Sequence, residues 1–248
     1  MPDFSTAAWI AFTFLLAGSV KGVIGMGLPL IALGLLTPVT GLHAAMAIML
    51  GPAFVTNVWQ ALSGGETRSV LTRTWPFLLA STACIWIGAL ALSRVDVRLL
   101  SGLLGFLLAA YGVMGLVRPP IHVSPERRTL TGVVAGAING VLAGMTGSFS
   151  IPGVPWLQAI GLSRGELMQA MGMLFSLSSV ALALALGRQN LLGKEQVFLS
   201  AAAVVLSIGG MLIGQAIRTR LSERQFRLVF FWSLIALGAY IVAGTAIR

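Results

Sequence analysis

The chain has 248 residues, 57% of them hydrophobic and 9% charged, with a mean hydropathy of +0.93. Soluble domains carry about 25% charged residues, and a soluble fold of this length has too little interior for so much apolar surface, so the composition excludes a water-soluble protein and requires a bilayer as solvent. The formal net charge of +9 does not indicate nucleic acid, because the basic residues form no stripe and fall in short gaps between apolar runs, as membrane-flanking loops do.

The N-terminal "MPDFSTAAW" lacks the basic region of a signal peptide, so the first apolar run is expected to belong to the mature protein. That run, 5–36, is interrupted near its middle. Its core, "AGSVKGVIGMGLPLIALGLL" from Ala17 to Leu36, holds Lys21 and the five glycines Gly18, Gly22, Gly25, Gly27 and Gly34. A continuous helix over 5–36 would run about 48 Å, too long for a hydrocarbon core of about 30 Å, while two full crossings need about 40 residues. The expectation is a pair of short, broken segments that dip into the bilayer and return. Uninterrupted spans follow at about 42–62, 73–93 and 97–117. After the polar stretch "RPPIHVSPERR" the pattern recurs: an interrupted run at 129–160, then spans at about 165–187, 196–217 and 227–247.

The two interrupted runs resemble each other. A shift of 122 positions places Gly18 on Gly140, Gly22 on Gly144, Gly25 on Gly147 and Met46 on Met168. It also pairs Thr56-Asn57-Val58 with Ser178-Ser179-Val180, and Ala61-Leu62 with Ala183-Leu184. A shift of 129 pairs Arg98-Leu99 with Arg227-Leu228 and Ala110-Tyr111 with Ala239-Tyr240, the slip of seven corresponding to a loop insertion. We read a first transmembrane repeat over 1–118, a polar linker over 119–127 and a second repeat over 128–248.

A broken hairpin plus three spans makes an odd number of passes, which inverts the second copy. Inversion puts Arg68, Arg73, Arg118, Arg127, Arg128, Arg164, Arg218, Arg220, Arg224 and Arg227 on one side and Arg94, Arg98, Arg188, Lys194 and Arg248 on the other. A parallel arrangement divides them almost evenly. The positive-inside rule favours inversion, with the linker cytoplasmic and both termini outside. The expected fold is therefore an all-α polytopic membrane protein of two inverted-topology repeats, each a broken re-entrant-like hairpin plus three transmembrane helices.

Glycine in a membrane helix often serves only close packing. Here the breaks also contain proline, Pro29 in the first copy and Pro152 and Pro155 in the second. Unwound backbone survives in a bilayer only where protein buries it or it lines a cavity, and broken segments at matching positions of two halves point to a transporter's binding site. Helix N-termini there suit an anion. Lys21, about fifteen residues into the first run, is far from an interface and adds positive charge. Its counterpart is Ala143, and the second break carries neutral Asn139, Thr146, Ser148 and Ser150 instead. The next helix of each half adds Thr56, Asn57 and Gln60, and Ser176, Ser178 and Ser179; such groups also act as interhelical glue. The expected substrate-binding set is Lys21, Gly22, Gly25, Gly27, Asn57, Gly144, Thr146, Gly147, Ser148 and Ser178, at a midplane site between the two hairpins.

All seven acids, Asp3, Glu66, Asp96, Glu126, Glu166, Glu195 and Glu223, lie at or near expected segment ends, so no carboxylate is placed to relay protons or hold sodium by charge. A lysine-bearing cavity without such acids favours an anion, which an inside-negative potential drives outward with about 2.3 kcal/mol per charge per 100 mV. A passive anion channel is the rival reading, and a permease for an organic carboxylate a second. An enzyme is not expected: Gly147-Ser148-Phe149-Ser150 lacks the second glycine of a nucleophile elbow. The single Cys84 excludes an intrachain disulfide and a cysteine metal cluster, and His43 and His122 are far apart, so no metal and no cofactor are expected. The expected partners are a small anionic substrate and the lipid bilayer, not nucleic acid; a homo-oligomer is left open.

"AGSVKGVIGMGLPLIALGLL" followed by "GPAFVTNVWQAL", with "GMTGSFSIPGVPWLQAIGLSRGELMQAMGM" in the second half, resembles the TauE/SafE family of membrane permeases, the sulfite-exporter or toluene-sulfonate-uptake group. The resemblance covers nearly the whole chain. It implies a multi-pass transporter of the bacterial inner membrane for small sulfur-containing or organic anions such as sulfite or sulfonates. Where many members carry a triple glycine, this chain reads Gly25-Met26-Gly27-Leu28-Pro29.

Overall fold

The computed structural model describes residues 3–117, 121–218 and 222–246. Every regular element among them is helical. The order is α1 (Phe4–Ile24), α2 (Leu28–Thr40), α3 (Leu42–Leu62), α4 (Thr67–Ala89), α5 (Val97–Val117), α6 (Arg128–Thr146), α7 (Gly153–Ala159), α8 (Arg164–Arg188), α9 (Lys194–Ile217) and α10 (Glu223–Ala246). Eight segments, containing all but α2 and α7, are long and apolar enough to cross a membrane. The start of the linker at 119–120, and Arg118, Arg220 and Arg248 among the basic residues used to orient the chain, lie outside the described residues.

One expectation is corrected. The interrupted runs are not pairs of short segments. α1 has 21 residues and α6 has 19, so α1 alone rises about 31 Å and α6, with the three-residue 3₁₀ turn before it, about 34 Å, enough to cross. Only α2, at 13 residues, and α7, at 7, are short. The breaks come later than the middle of each run. Gly18 and Gly22 stay helical because their backbone bonds remain internal and the space where a β-carbon would sit is taken by a neighbouring helix. The true breaks are at left-handed glycines. Gly25, at φ 79°, ends α1 with its N–H on the Lys21 carbonyl, and Gly147, at φ 75°, ends α6 with its N–H on the Ala143 carbonyl. Both are the cap that glycine provides without a steric cost.

The chain forms two compact units. The first comprises Met1–Pro52, Val95–Arg118 and Asn190–Arg248, the second Ala53–Arg94 and Pro119–Gln189. Each joins elements from both halves of the sequence.

In the first unit α1 packs along α9. A β-carbon placed on Gly18 would run into the Ser207 carbonyl oxygen, and one on Gly22 into that of Met211. From the other side, Gly210 and Gly214 would meet the carbonyls of Leu15 and Ser19. The numbers rise together, so the two helices are parallel. α5 and α10 pair in the opposite sense: Gly105 opposes Gly238, and Gly112 opposes Phe231. Trp9 Nε1 donates to the Leu35 carbonyl at 3.0 Å, stitching α1 to α2.

The second unit repeats the first contact at α4 and α6. Gly140 faces the Ser81 carbonyl, Gly144 that of Ile85, and Gly88 that of Val141. These α6 positions lie 122 residues after their α1 counterparts, and Ser207 and Met211 lie 126 after Ser81 and Ile85. The two interfaces are the same to the residue. Another indole stitches the short helix here: Trp156 of α7 donates to Thr131 Oγ1 of α6 at 3.1 Å and stacks on Phe77 of α4, with ring centroids 4.6 Å apart.

Candidate anion site

Lys21 sits one turn before the first break and is 4% exposed. An ammonium group this deep in an apolar helix is costly unless protein or a ligand answers it. The segment that follows is shaped by close contacts. Gly27 takes φ 102°, and a β-carbon on it would lie 2.8 Å from the Phe230 ring. Pro29 follows in the first turn of α2, where its missing N–H costs nothing. Tyr111 Oη donates to Met26 Sδ at 3.3 Å. Of the first-unit residues expected to bind substrate, Gly22 is filled by its contact with α9, Gly25 and Gly27 shape the break, and Lys21 carries the charge.

The other expected residues, Asn57, Gly144, Thr146, Gly147, Ser148 and Ser178, lie in the second unit. Gly144 is occupied in packing against α4, as Gly22 is against α9. Gly147 N–H is used by the helix cap. Thr146 Oγ1 donates to the Leu142 carbonyl at 2.7 Å and accepts from Ser148 N–H at 3.2 Å. The N-terminus of α7 is answered as well, since Gly153 N–H donates to Asn139 Oδ1 at 3.0 Å and Val154 N–H to the Ser150 carbonyl at 2.8 Å. In this unit the backbone N–H groups of Gly147, Gly153 and Val154 are therefore engaged.

Hydroxyls stand out instead. Ser148 and Ser178 are 1% and 0% exposed, and among the described residues neither Oγ has a hydrogen-bond partner. A buried hydroxyl without a partner costs about 1–3 kcal/mol, a cost that Thr13, Thr37, Ser176 and Ser207 share among the described residues. Phe149, next to Ser148, packs on Phe175, with centroids 6.3 Å apart, and Ser178 lies one turn beyond Phe175 on α8. Asn57, fully buried on α3, belongs to the same unit. Ser179 differs from Ser178, its hydroxyl donating to the Phe175 carbonyl at 2.7 Å. Gln60 also serves structure, donating to the Met168 carbonyl at 2.8 Å.

Two networks in the second unit escaped the sequence reading. Gln169, fully buried, accepts from Glu66 N–H and donates to the Ala61 carbonyl and Thr67 Oγ1, sealing the α3–α4 turn against α8. Arg73 and Glu166 tie α4 to the α7–α8 turn. The signal for the second was present as the Ser163–Glu166 capping-box spacing. Each acid stands at an element end, Asp3 as the α1 N-cap, where bonds from Ser5 and Thr6 hold its carboxyl below the usual range. Among the described residues no group of three or more His, Cys, Asp and Glu could hold a metal.

Residues 10–241 match the family model for the sulfite exporter TauE/SafE. The chain belongs to the TauE/SafE family. The match spans both breaks and all but the outer ends of α1 and α10. No curated protein and no solved structure matches. Members of the family transport sulfur-containing anions such as sulfite, and with its eight crossing helices this chain is a multi-pass membrane transporter of that kind.

Proposed function

We propose that the protein is a permease of the bacterial inner membrane that exports sulfite or a related organosulfonate by alternating access, using the residues at its two breaks. The carrying observation is Lys21, a lysine nearly inaccessible to solvent one turn before a glycine-capped break. Lys21 supplies the charge, with Gly25 and Gly27 shaping the backbone beside it. In the second unit Ser148 and Ser178 supply hydroxyl donors and Asn57 an amide, with Thr146 and Gly147 holding the turn. Gly22 and Gly144 are the helix contacts that set both breaks in place.

The inverted-repeat reading is supported by direction. α5 and α10, equivalent under the sequence shift, run antiparallel, while α1 with α9 and α4 with α6 form one parallel contact twice. The placement of all seven acids at element ends leaves no intramembrane carboxylate to couple transport to protons or sodium, so the membrane potential acting on the anion itself suffices for export.

The test is flux of labelled sulfite in proteoliposomes. The reading expects saturation, low turnover and counterflow, with sulfite favoured over carboxylates of the same charge. Flux linear in concentration without counterflow identifies a channel, and preference for carboxylates identifies the organic-acid alternative.

A further inference from the structure

The two units repeat one helix contact but differ at buried positions along it: Lys21 is matched by Ala143, and Ala17 by Asn139. In the second unit Asn139 of α6 is fully buried and uses both ends of its amide. Gly153 N–H, which opens α7, requires an acceptor, so Oδ1 faces it at 3.0 Å, leaving Nδ2 to donate to Ser81 Oγ of α4 at 3.0 Å. One side chain thus ties together α4, α6 and the first residue of α7. The approach is close: a β-carbon on Gly153 would lie 2.7 Å from Asn139 Oδ1, so only glycine lets the amide reach that N–H. In the first unit the matching position is Ala17, fully buried, and the matching serine, Ser207, has a hydroxyl with no partner among the described residues.

A buried amide costs more than a leucine of similar volume unless each polar end is satisfied. At Asn139 one bond runs to Ser81 on α4 and the other to the backbone that follows the break, at Gly153, five residues from Ser148. The other end of α7 is fixed independently, by Arg73 Nη2 on the Ile160 carbonyl at 2.9 Å. We propose that Asn139 is a positioning residue of the transport site: it fixes the start of α7 and so holds segment 147–153, with the Ser148 hydroxyl, in the pose that meets the anion. This rests on the reading of Ser148 as an anion contact. It makes the halves unequal in role, a neutral hydrogen-bonding break pinned by Asn139 and a charged break, with Lys21, that has no such pin.

Asn139→Ala is expected to raise the KM for sulfite about tenfold while Vmax stays within about twofold, the size of one buried hydrogen bond lost. Pose is read separately, by N-ethylmaleimide labelling of Ser148→Cys in a Cys84→Ala background. There Asn139→Ala should speed labelling by a similar factor, whereas Asn139→Asp, which keeps an oxygen at Gly153 N–H, should stay within about twofold of its parent. Should Asn139→Ala not fold, Ser81→Ala removes only the outer bond and should speed labelling about threefold. Unchanged labelling in Asn139→Ala, or in Ser81→Ala in its place, overturns the proposal. Faster labelling together with no sulfite flux from the wild-type protein upholds the positioning and overturns the substrate reading instead.

Discussion

Arg73 Nη1 stands 3.2 Å from Glu166 Oε2, while Arg73 Nη2 donates to the carbonyls of Ile160 and Gly161 at 2.9 and 3.2 Å. Glu166 also accepts from Ser69 Oγ and from Ser163 N–H. The two side chains are 25% and 13% exposed, so screening is partial and the bonds are worth more than those of a free surface pair. Arg73→Ala leaves two carbonyls and a carboxylate short of donors, and we expect a loss of about 1–3 kcal/mol, read as a lower unfolding midpoint in detergent. Arg73→Lys should recover under half of it, because an ammonium cannot reach carboxylate and carbonyls as a planar fork does. Full recovery by lysine would show that charge alone matters.

Adjacent glycines on α9 should behave oppositely. Nothing lies within 4 Å of a β-carbon on Gly209, whereas one on Gly210 runs into the Leu15 carbonyl of α1. Gly209→Ala should be neutral or stabilise by about 0.5–1 kcal/mol, the ordinary helix gain. Gly210→Ala should cost about 1–3 kcal/mol as overpacking against rigid backbone, and Gly144→Ala should do the same at the α4–α6 contact. Equal midpoints for the two α9 variants would refute the parallel packing.

The orphaned serines should trade stability against function. Ser148→Ala and Ser178→Ala each remove a buried hydroxyl lacking a protein partner, so each should raise the unfolding midpoint, by up to about 1–3 kcal/mol. Each should also raise the KM for sulfite about two- to tenfold. A variant that gains stability and keeps its KM would remove that serine from the site.

How much of this was legible in the sequence depends on the physics behind each element. Span positions were, since hydropathy and length are what a bilayer reads. The matching glycines were legible too, and Gly18 with Gly140 and Gly22 with Gly144 do occupy equivalent positions. What they do was not: a glycine bordering a broken backbone and one pressed against a carbonyl look alike in one dimension, and only the partner helix, nearly two hundred residues away for Gly22, decides. For that reason the run 5–36 reads in sequence as a pair of short segments, where the structure has the full-length α1 followed by the short α2. Lys21 was legible as an outlier of charge. The clamp at Asn139 was visible only as one more polar residue, because its meaning comes from Ser81 and Gly153, on other elements.

The proposed inverted repeat makes a prediction about membrane sidedness. In a Cys84→Ala background, single cysteines at Ser63 and His122 should react with an impermeant thiol reagent from the cytoplasmic side only, and a cysteine at Ser93 from the outside only. All three sites are exposed. Labelling of all three from one side would exclude the inverted arrangement.

The central claim is that Lys21 provides the positive charge that recognises a sulfur-containing anion, and its most direct test is sulfite flux by Lys21→Met in proteoliposomes, with folded yield measured alongside. Methionine keeps most of the length and removes the charge. The account predicts folded protein whose saturable flux falls about tenfold or more, in line with the loss of a charge-assisted contact. Wild-type flux from that variant would contradict it.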